Sequence, residues 1–327
     1  MNRREFITLV GGGAAVWPVV ARAQKGAIPV IGFMSSRSST DSERAVKAFV
    51  KGLADDGFTA GKNVEIKYLW ANGDYEQLEV FAKAFVSEKV AVIVAVGGVP
   101  SAEAAKQATS IVPIVFSVGP DPVKAGLVGS FNRPEANVTG VSLLTNALEA
   151  KRLGLIHELV PTAATIAALM NPANPASAQQ AQEITDAAPT INQRVEILGA
   201  SNGVELARAF ARIKQIRANA MLVGADPFFD TRRDEIVRFT SEQRLPAIYQ
   251  FREYAVAGGL VSYGIDLTDS YQKVGAYAAR ILNGTRPQEL PVLQPTKFEL
   301  VLNLKTAKAL GLTVPPQLLA RAEEVIE

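Results

Sequence analysis

Three features of the sequence predict an α/β fold made of two similar units, each built on a parallel sheet. From Ile28 onward, short β-branched runs alternate with amphipathic segments. The strand-like runs are apolar throughout rather than alternating with polar residues, which is how strands covered on both faces read. The rhythm also stops after VTGVSLL and starts again, so 28–143 and 147–254 read as two units of one plan.

In the first unit, PVIGFM reads as a buried strand. STDSERAVKAFVKGLADDGF follows as a helix, with Thr40 and Glu43 spaced as a capping box and Val46, Phe49, Val50 and Leu53 forming one apolar stripe that ends at Gly57. NVEIKYLW (strand), YEQLEVFAKAFVSEK (helix, with Leu78, Phe81, Ala82 and Phe85 inward), VAVIVAVGG (strand), SAEAAKQAT (helix) and PIVFSVG (strand) complete it. In the second unit, ALEAKRLGLIHELV is a helix, TIAALMNP a strand and ASAQQAQEITDAA a helix. RVEILGAS, VELARAFARIKQIR, AMLVGADPFF, TRRDEIVRFTSEQR and PAIYQF continue the alternation.

Neither unit accounts for the C-terminal elements: GGLVSYGID, a helix over Thr268–Asn283 and a late strand, KFELVLNL. The simplest path returns the chain to the first lobe with 260–292 and crosses finally to the second with 297–327. Three hinge strands are then expected, near Leu144–Ala147, Ala255–Gly259 and Leu290–Thr296.

The N-terminus reads as an export signal. Arg3 and Arg4 precede an uncharged segment from Phe6 to Ala21, and Ala21-Arg22-Ala23 offers small residues to a peptidase, so cleavage is expected after Ala23. The arginine pair resembles a twin-arginine signal, although the general secretory path can also use it. Three consecutive glycines and a proline within the run argue against a permanent anchor.

Composition narrows the function. The 327 residues are 48% hydrophobic and 20% charged, ordinary for a globular protein large enough for two domains. With net charge +2 and no basic tract, no nucleic-acid partner is expected. The absence of cysteine excludes disulfides and thiol chemistry, and suits an oxidising compartment. A single histidine, His157, makes histidine metal sites and most histidine-dependent catalysis improbable. Gly199–Gly203 matches G-x-S-x-G between a strand and a helix, but no histidine lies downstream to activate Ser201, so an exported serine hydrolase is a weak alternative. GFTAGKN is one residue short of a phosphate loop, and no G-x-G-x-x-G follows the first strand, so no cofactor is expected.

The remaining signal is a recurrence. Strand after strand ends in small polar or aromatic residues that lead into a helix: Ser35-Ser36, Gly97-Gly98, Ser117 and Asp121, Asn171 and Asn174 with Ser177, Asp226 with Phe228-Phe229, and Tyr249. In open parallel sheets ligands bind at that edge, where helix N-termini present unpaired N–H groups. Serine and glycine there can hold a carboxylate, Asp121 or Asp226 an amine, and the aromatics an apolar body. Tyr249 and Tyr263 are candidate wall residues near the hinge. Each position also has a plainer explanation. The serines make good helix caps, the two Asp-Pro pairs are turn formers, and adjacent Phe228 and Phe229 do not both face one way. Trp70 and Phe116 read as packing within the sheet.

These residues, with the blocks RREFITL…ARAQ, IGFMSS, AVIVAVGG, PIVFSVGPDPVKAGLVGSFNRPEANVTGVS, LLVGADPFFDTRRDEIV, PAIYQFREYAVAGGLVSYG and QPTKFELVLNLKTAKALGLTVPP, make the chain resemble a known family. It resembles the tryptophan/tyrosine-type substrate-binding proteins of ABC transporters, which have the type I periplasmic-binding-protein fold. The resemblance implies two Rossmann-like lobes joined by three crossovers, export to the periplasm, and no catalytic residues. It also implies a small-molecule ligand held between the lobes and an ABC permease partner in the inner membrane. An amino-acid-like or other small carboxylate, aromatic by the family's name, is the implied ligand, and a monomer is expected. A ligand-sensing partner of a membrane receptor is the alternative role.

Overall fold

The computed structural model describes residues 28–143, 148–294 and 297–327; the export segment and the first expected hinge segment lie outside them. In the first lobe, β1 (Val30–Ser35), β2 (Glu65–Trp70), β3 (Val92–Val96), β4 (Ile114–Val118) and β5 (Val138–Ser142) alternate with α1 (Ser39–Asp55), α2 (Gln77–Ser87) and α3 (Val99–Ala108). All neighbours in the order β2-β1-β3-β4-β5 are parallel. Every residue of β3 and β4 is buried, as continuous apolar strands between two helical layers must be. The cap of α1 differs from the expected capping box. Ser38, in extended conformation, accepts from the Asp41 N–H, which starts the helix early enough to place Thr40 inside it. The inward stripe is as expected: Phe49 and Leu53 are buried beside Phe33, with Val46 and Val50 packed against the same cluster. Trp70 stacks on Tyr68 and both tilt against Phe33, while Phe116 lies in the core of the other face.

The second lobe begins with α4 (Glu149–Leu159), β6 (Thr165–Met170), α5 (Ser177–Ala187), β7 (Arg194–Gly199), α6 (Gly203–Gln215) and β8 (Ala220–Val223). It continues through α7 (Pro227–Thr231), α8 (Arg233–Glu242), β9 (Ala247–Tyr249), α9 (Arg252–Val256) and β10 (Val261–Ile265). After α10 (Leu267–Leu282) come β11 (Phe298–Asn303), α11 (Leu304–Leu310), α12 (Pro316–Leu319) and β12 (Glu324–Ile326). The sheet order is β12-β11-β10-β9-β8-β6-β7. β10 and β11 are antiparallel, the one departure from parallel pairing among the described strands.

That order corrects the expected domain boundary. β10 pairs with β9 and β11, so 261–265 belongs to the second lobe, and Ala255–Gly259 is an internal turn rather than a hinge. The chain crosses at Asp266 instead, and α10 then lies along α1 in the first lobe. The helices approach so closely that a Cβ on Gly52 would fall 2.0 Å from the Gln272 carbonyl oxygen, and one on Gly275 2.1 Å from that of Phe49. Leu293 then bridges Val141 on the edge of β5, so the last crossing lies between Leu293 and Phe298. The second and third crossings run side by side. Asp266 N–H donates to the Lys297 carbonyl (3.3 Å), and the Asp266 carboxylate takes Lys297 Nζ at 2.9 Å while capping α10. Burial alone would raise that carboxyl, but the Thr268 and Lys297 bonds outweigh it and hold it below its ordinary value.

Candidate functional site

Both sheets point the carboxyl ends of their central strands at one cleft, and the loops there enclose it. In the first lobe the chain leaves β1 through Ser35, Ser36 and Arg37. Ser35 Oγ accepts from the Arg37 N–H (3.1 Å) and Ser36 Oγ shares a 2.7 Å hydrogen bond with Ser101 Oγ, so both serines brace the loop. Gly97 and Gly98 follow β3 with φ of +85° and +123°, a conformation that glycine adopts freely. A Cβ on Gly97 would sit 2.8 Å from Ser35 Oγ. Gly98 is the N-cap of α3 and no side chain caps it; Pro100 has no N–H, which leaves the Val99 N–H at the cavity wall without an intrahelical acceptor. Ser117, at the end of β4, is 2% exposed and its hydroxyl has no hydrogen-bond partner.

The second lobe presents a different wall. Asn171 and Asn174 follow β6, each side-chain oxygen accepting a backbone N–H two residues on, from Ala173 and Ala176. Their amide nitrogens are thereby aimed at Asp226, the N-cap of α7. Asp226 Oδ1 accepts from Asn171 Nδ2 (2.9 Å) and the Phe228 N–H (2.9 Å), and Oδ2 from Asn174 Nδ2 (2.7 Å) and the Tyr75 hydroxyl (2.9 Å). Burial raises the Asp226 carboxyl, and these four bonds oppose that rise. Burial together with the Asp226 charge pushes the Tyr75 hydroxyl well above its ordinary value.

Tyr75 belongs to the first lobe, so this bond crosses the cleft. A second bridge joins Arg37 Nη2 to Asp230 Oδ2 at 3.0 Å, both side chains almost fully buried, and a third joins Arg233 to Asp41 at 3.4 Å. The Arg37 guanidinium also lies 5.0 Å over the Phe251 ring. Burial pushes the Asp230 carboxyl up to about 7 against the opposing pull of Arg37, whereas Arg37, paired with Asp230, stays cationic. Asp226 and Asp230 are one helical turn apart, so the DPFFD segment offers both carboxylates to the first lobe at once.

Between these walls lies a cavity of about 50 Å³. It is a narrow slot with an apolar body formed by Val99, Leu143, Pro227, Phe251, Leu267 and Tyr271. Of the residues expected from the sequence, Gly97, Gly98, Ser117, Asn174 and Asp226 line it, and Asn171 stands behind as a second donor to Asp226. Ser35 and Ser36 do not line it. Asp121 is spent on its own turn, accepting from the Val123 and Lys124 N–H groups.

The expected aromatic wall is corrected. Phe229 is fully buried in the second lobe's core with Leu169, Met221 and Ile236; Tyr249 is fully buried, hydrogen-bonded to Thr240 and stacked on Tyr254. Tyr263 packs against the other core of that lobe and stacks on Phe298. Phe251 and Tyr271 take their place. The unforeseen residues had weak signals: Arg37 follows Ser35-Ser36 directly, Asp230 repeats Asp226 at four residues, and Phe251 sits two beyond Tyr249. Tyr271 had none, because its helix reaches the cleft only through the crossing at Asp266.

Ser201 lines a separate opening with Asn72, Tyr75 and Arg232, its N–H donating to Glu205 Oε2 (2.8 Å). His157 is bound to Gln193 Oε1 at 3.0 Å. Among the described residues no group of three or more His, Asp and Glu is placed to hold a metal ion.

Two lobes bridged across a buried slot define a ligand-binding protein of the type I periplasmic class. The chain belongs to the ABC transporter substrate-binding protein family, whose model matches residues 27–326. It is 30% identical over 270 residues to a tyrosine-binding protein of Clostridioides difficile, covering 83% of this chain and 77% of that one. Among solved structures it is similar to an ABC domain from Streptococcus pneumoniae in complex with L-Trp (TM-score 0.82, 26% identity, 91% and 99% of the two chains). It is also similar to a ligand-free, open substrate-binding protein with adhesive properties from Clostridium difficile (TM-score 0.64, 25% identity, 92% and 99%). These relatives are solute-binding proteins, not enzymes.

Proposed function

We propose that this protein is the capture component of an ABC importer, exported to the periplasm with cleavage after Ala23, and that it closes its two lobes over a small carboxylate with an apolar body. The observation that carries this reading is the slot itself. The first lobe offers it the uncapped start of α3 and the unpartnered Ser117 hydroxyl, two donors suited to a carboxylate. Phe251, Tyr271 and Leu143 offer apolar surface to the rest of the molecule.

Hinge closure is supported by the bridges from Tyr75 to Asp226 and from Arg37 to Asp230, which exist only while the lobes are together. The higher similarity to the L-Trp complex than to the open structure, at nearly equal identity, supports the same arrangement. A ligand that touches both lobes favours the closed state by its differential affinity. The closed pair of surfaces is what a permease would recognise.

The test is a thermal-shift and calorimetric screen of the mature chain against amino acids, aromatic and aliphatic carboxylates, sugars and purines. A ligand at a hundred times its dissociation constant adds about 2.7 kcal/mol of stability. A shift with carboxylates only is expected. A shift confined to sugars or purines would refute the ligand class and leave the capture role standing.

A further inference from the structure

The polar groups of the slot divide into committed acceptors and uncommitted donors. Each carboxylate oxygen has two lone-pair directions, and at Asp226 all four are filled, by Asn171, Asn174, Tyr75 and the Phe228 N–H. Asp230 is paired with Arg37 and also accepts from Gln250. With its carboxyl at about 7, part of the Asp230 population is already neutral at physiological pH. On the other side, Ser117 Oγ and Arg37 Nε are buried without a partner, and the start of α3 adds the Val99 N–H. Both carboxylates at the slot are thus already engaged by the protein's own donors, while three donors wait, and one of them belongs to a cation.

We infer that the slot selects a small carboxylate lacking the α-ammonium group over the corresponding amino acid, a substrate class that rests on the capture reading above. A carboxylate satisfies the three donors. An α-ammonium would find no uncommitted carboxylate acceptor, since Asp226 is filled and Asp230 is already shared by Arg37 and Gln250. Burying a cation without one is among the least favourable events in a closed site. The apolar walls are indifferent to the difference, so the discrimination rests on the polar groups alone.

The experiment uses the mature chain and matched pairs by isothermal calorimetry: tryptophan against indole-3-propionate, tyrosine against 3-(4-hydroxyphenyl)propionate, and phenylalanine against 3-phenylpropionate. Tryptamine and phenethylamine serve as amine-only controls. The des-amino acid of at least one pair is expected to bind about tenfold or more tightly than its amino acid, as desolvating an unmatched ammonium requires, with no binding of the amines. An amino acid that binds as tightly as its des-amino partner overturns this inference and leaves the capture reading intact. Failure of every carboxylate, in these pairs and in the wider screen, sinks both.

Asp226→Asn supplies an independent readout. If Asp226 only holds the loops and Tyr75, the substitution weakens both members of a pair by the same factor. A loss confined to the amino acid would make Asp226 an ammonium ligand and overturn the inference. Should that variant not fold, Asp226→Ser keeps an N-cap oxygen, removes the charge, and is read the same way.

Discussion

The two walls of the cleft are built from similar raw material, loops at the carboxyl ends of parallel strands, and they have come to opposite electrostatic states. On the first lobe, the Ser117 hydroxyl is buried without a partner and no side chain caps the start of α3. On the second, Asp226 is saturated by its own protein. An unsatisfied buried polar group costs about 1–3 kcal/mol, so it persists where something else will satisfy it. A saturated one stabilises geometry. The difference assigns recognition to the first lobe and closure to the second, whose DPFFD turn reaches across to Tyr75 and Arg37.

The sharpest way to break this division is Arg37→Ala, because Arg37 serves both walls. Removing one partner of a buried ion pair costs about 3–5 kcal/mol when the other charge stays buried. Here the lobes can part and hydrate Asp230, so the loss is expected in ligand affinity, more than about 100-fold, with little change in the melting temperature of the unliganded protein. Equal loss of affinity and melting temperature would show that the pair holds the fold rather than the closed state. Tyr75→Phe comes next. It removes one hydrogen bond to a charged group, about 1.5–3 kcal/mol, hence about 10- to 100-fold in affinity. The loss should appear mainly as faster dissociation in stopped-flow traces and should be the same for every ligand. A ligand-dependent loss would place Tyr75 on the recognition side.

Much of this was legible in the sequence for identifiable reasons. The strands of the first lobe were legible because continuous apolar runs such as VIVAV have no other stable home than a covered parallel sheet. The strand character of GGLVSYGID was equally plain, but its sheet was not, since pairing partners are chosen by register with Ala247–Tyr249 and Phe298–Asn303, far apart in the chain. Of the small residues at strand ends, Gly97, Gly98 and Ser117 line the slot while Ser35 and Ser36 brace the loop behind it, a division that the residue type alone does not carry. Aromatic residues misled: Tyr249 and Phe229 have the same propensities whether they face a core or a cavity, and only the side of the sheet decides. Asp226 lines the slot, yet its part there depends on Asn171, Asn174 and Tyr75 converging on it. Arg37 carried no signal of its own, because its buried partner lies in the other lobe.

The pH dependence of affinity sharpens the comparison further, since it reads the Asp230–Arg37 bridge without a mutation. The Asp230 carboxyl is pushed up to about 7 in the closed protein by burial. On opening, water returns and its value falls toward the ordinary carboxylate range near 4. The closed state therefore holds more protons than the open one between those two values. Its Asp230 contribution is full below the lower value and is lost as pH rises through the upper one. Affinity should fall by about tenfold from pH 6 to pH 8, and Asp230→Asn should flatten the profile. A profile that rises over that range would mean that ionised Asp230 is the form the closed state prefers.

Ser117→Ala is the smallest change and the most selective. The hydroxyl has no partner within the protein, so its removal breaks no internal hydrogen bond, and the melting temperature without ligand should hold steady. The liganded protein loses one hydrogen bond to a carboxylate, at the low end of the range for a charged partner, about 1.5 kcal/mol, or about tenfold in affinity. That loss should be present for carboxylates and absent for any neutral ligand that leaves Ser117 untouched. Tyr75→Phe acts through closure and makes no such distinction. Measured together in a double-mutant cycle, the two substitutions should add if the walls are independent. Strong coupling would mean that the first lobe recognises its ligand only once the second has latched.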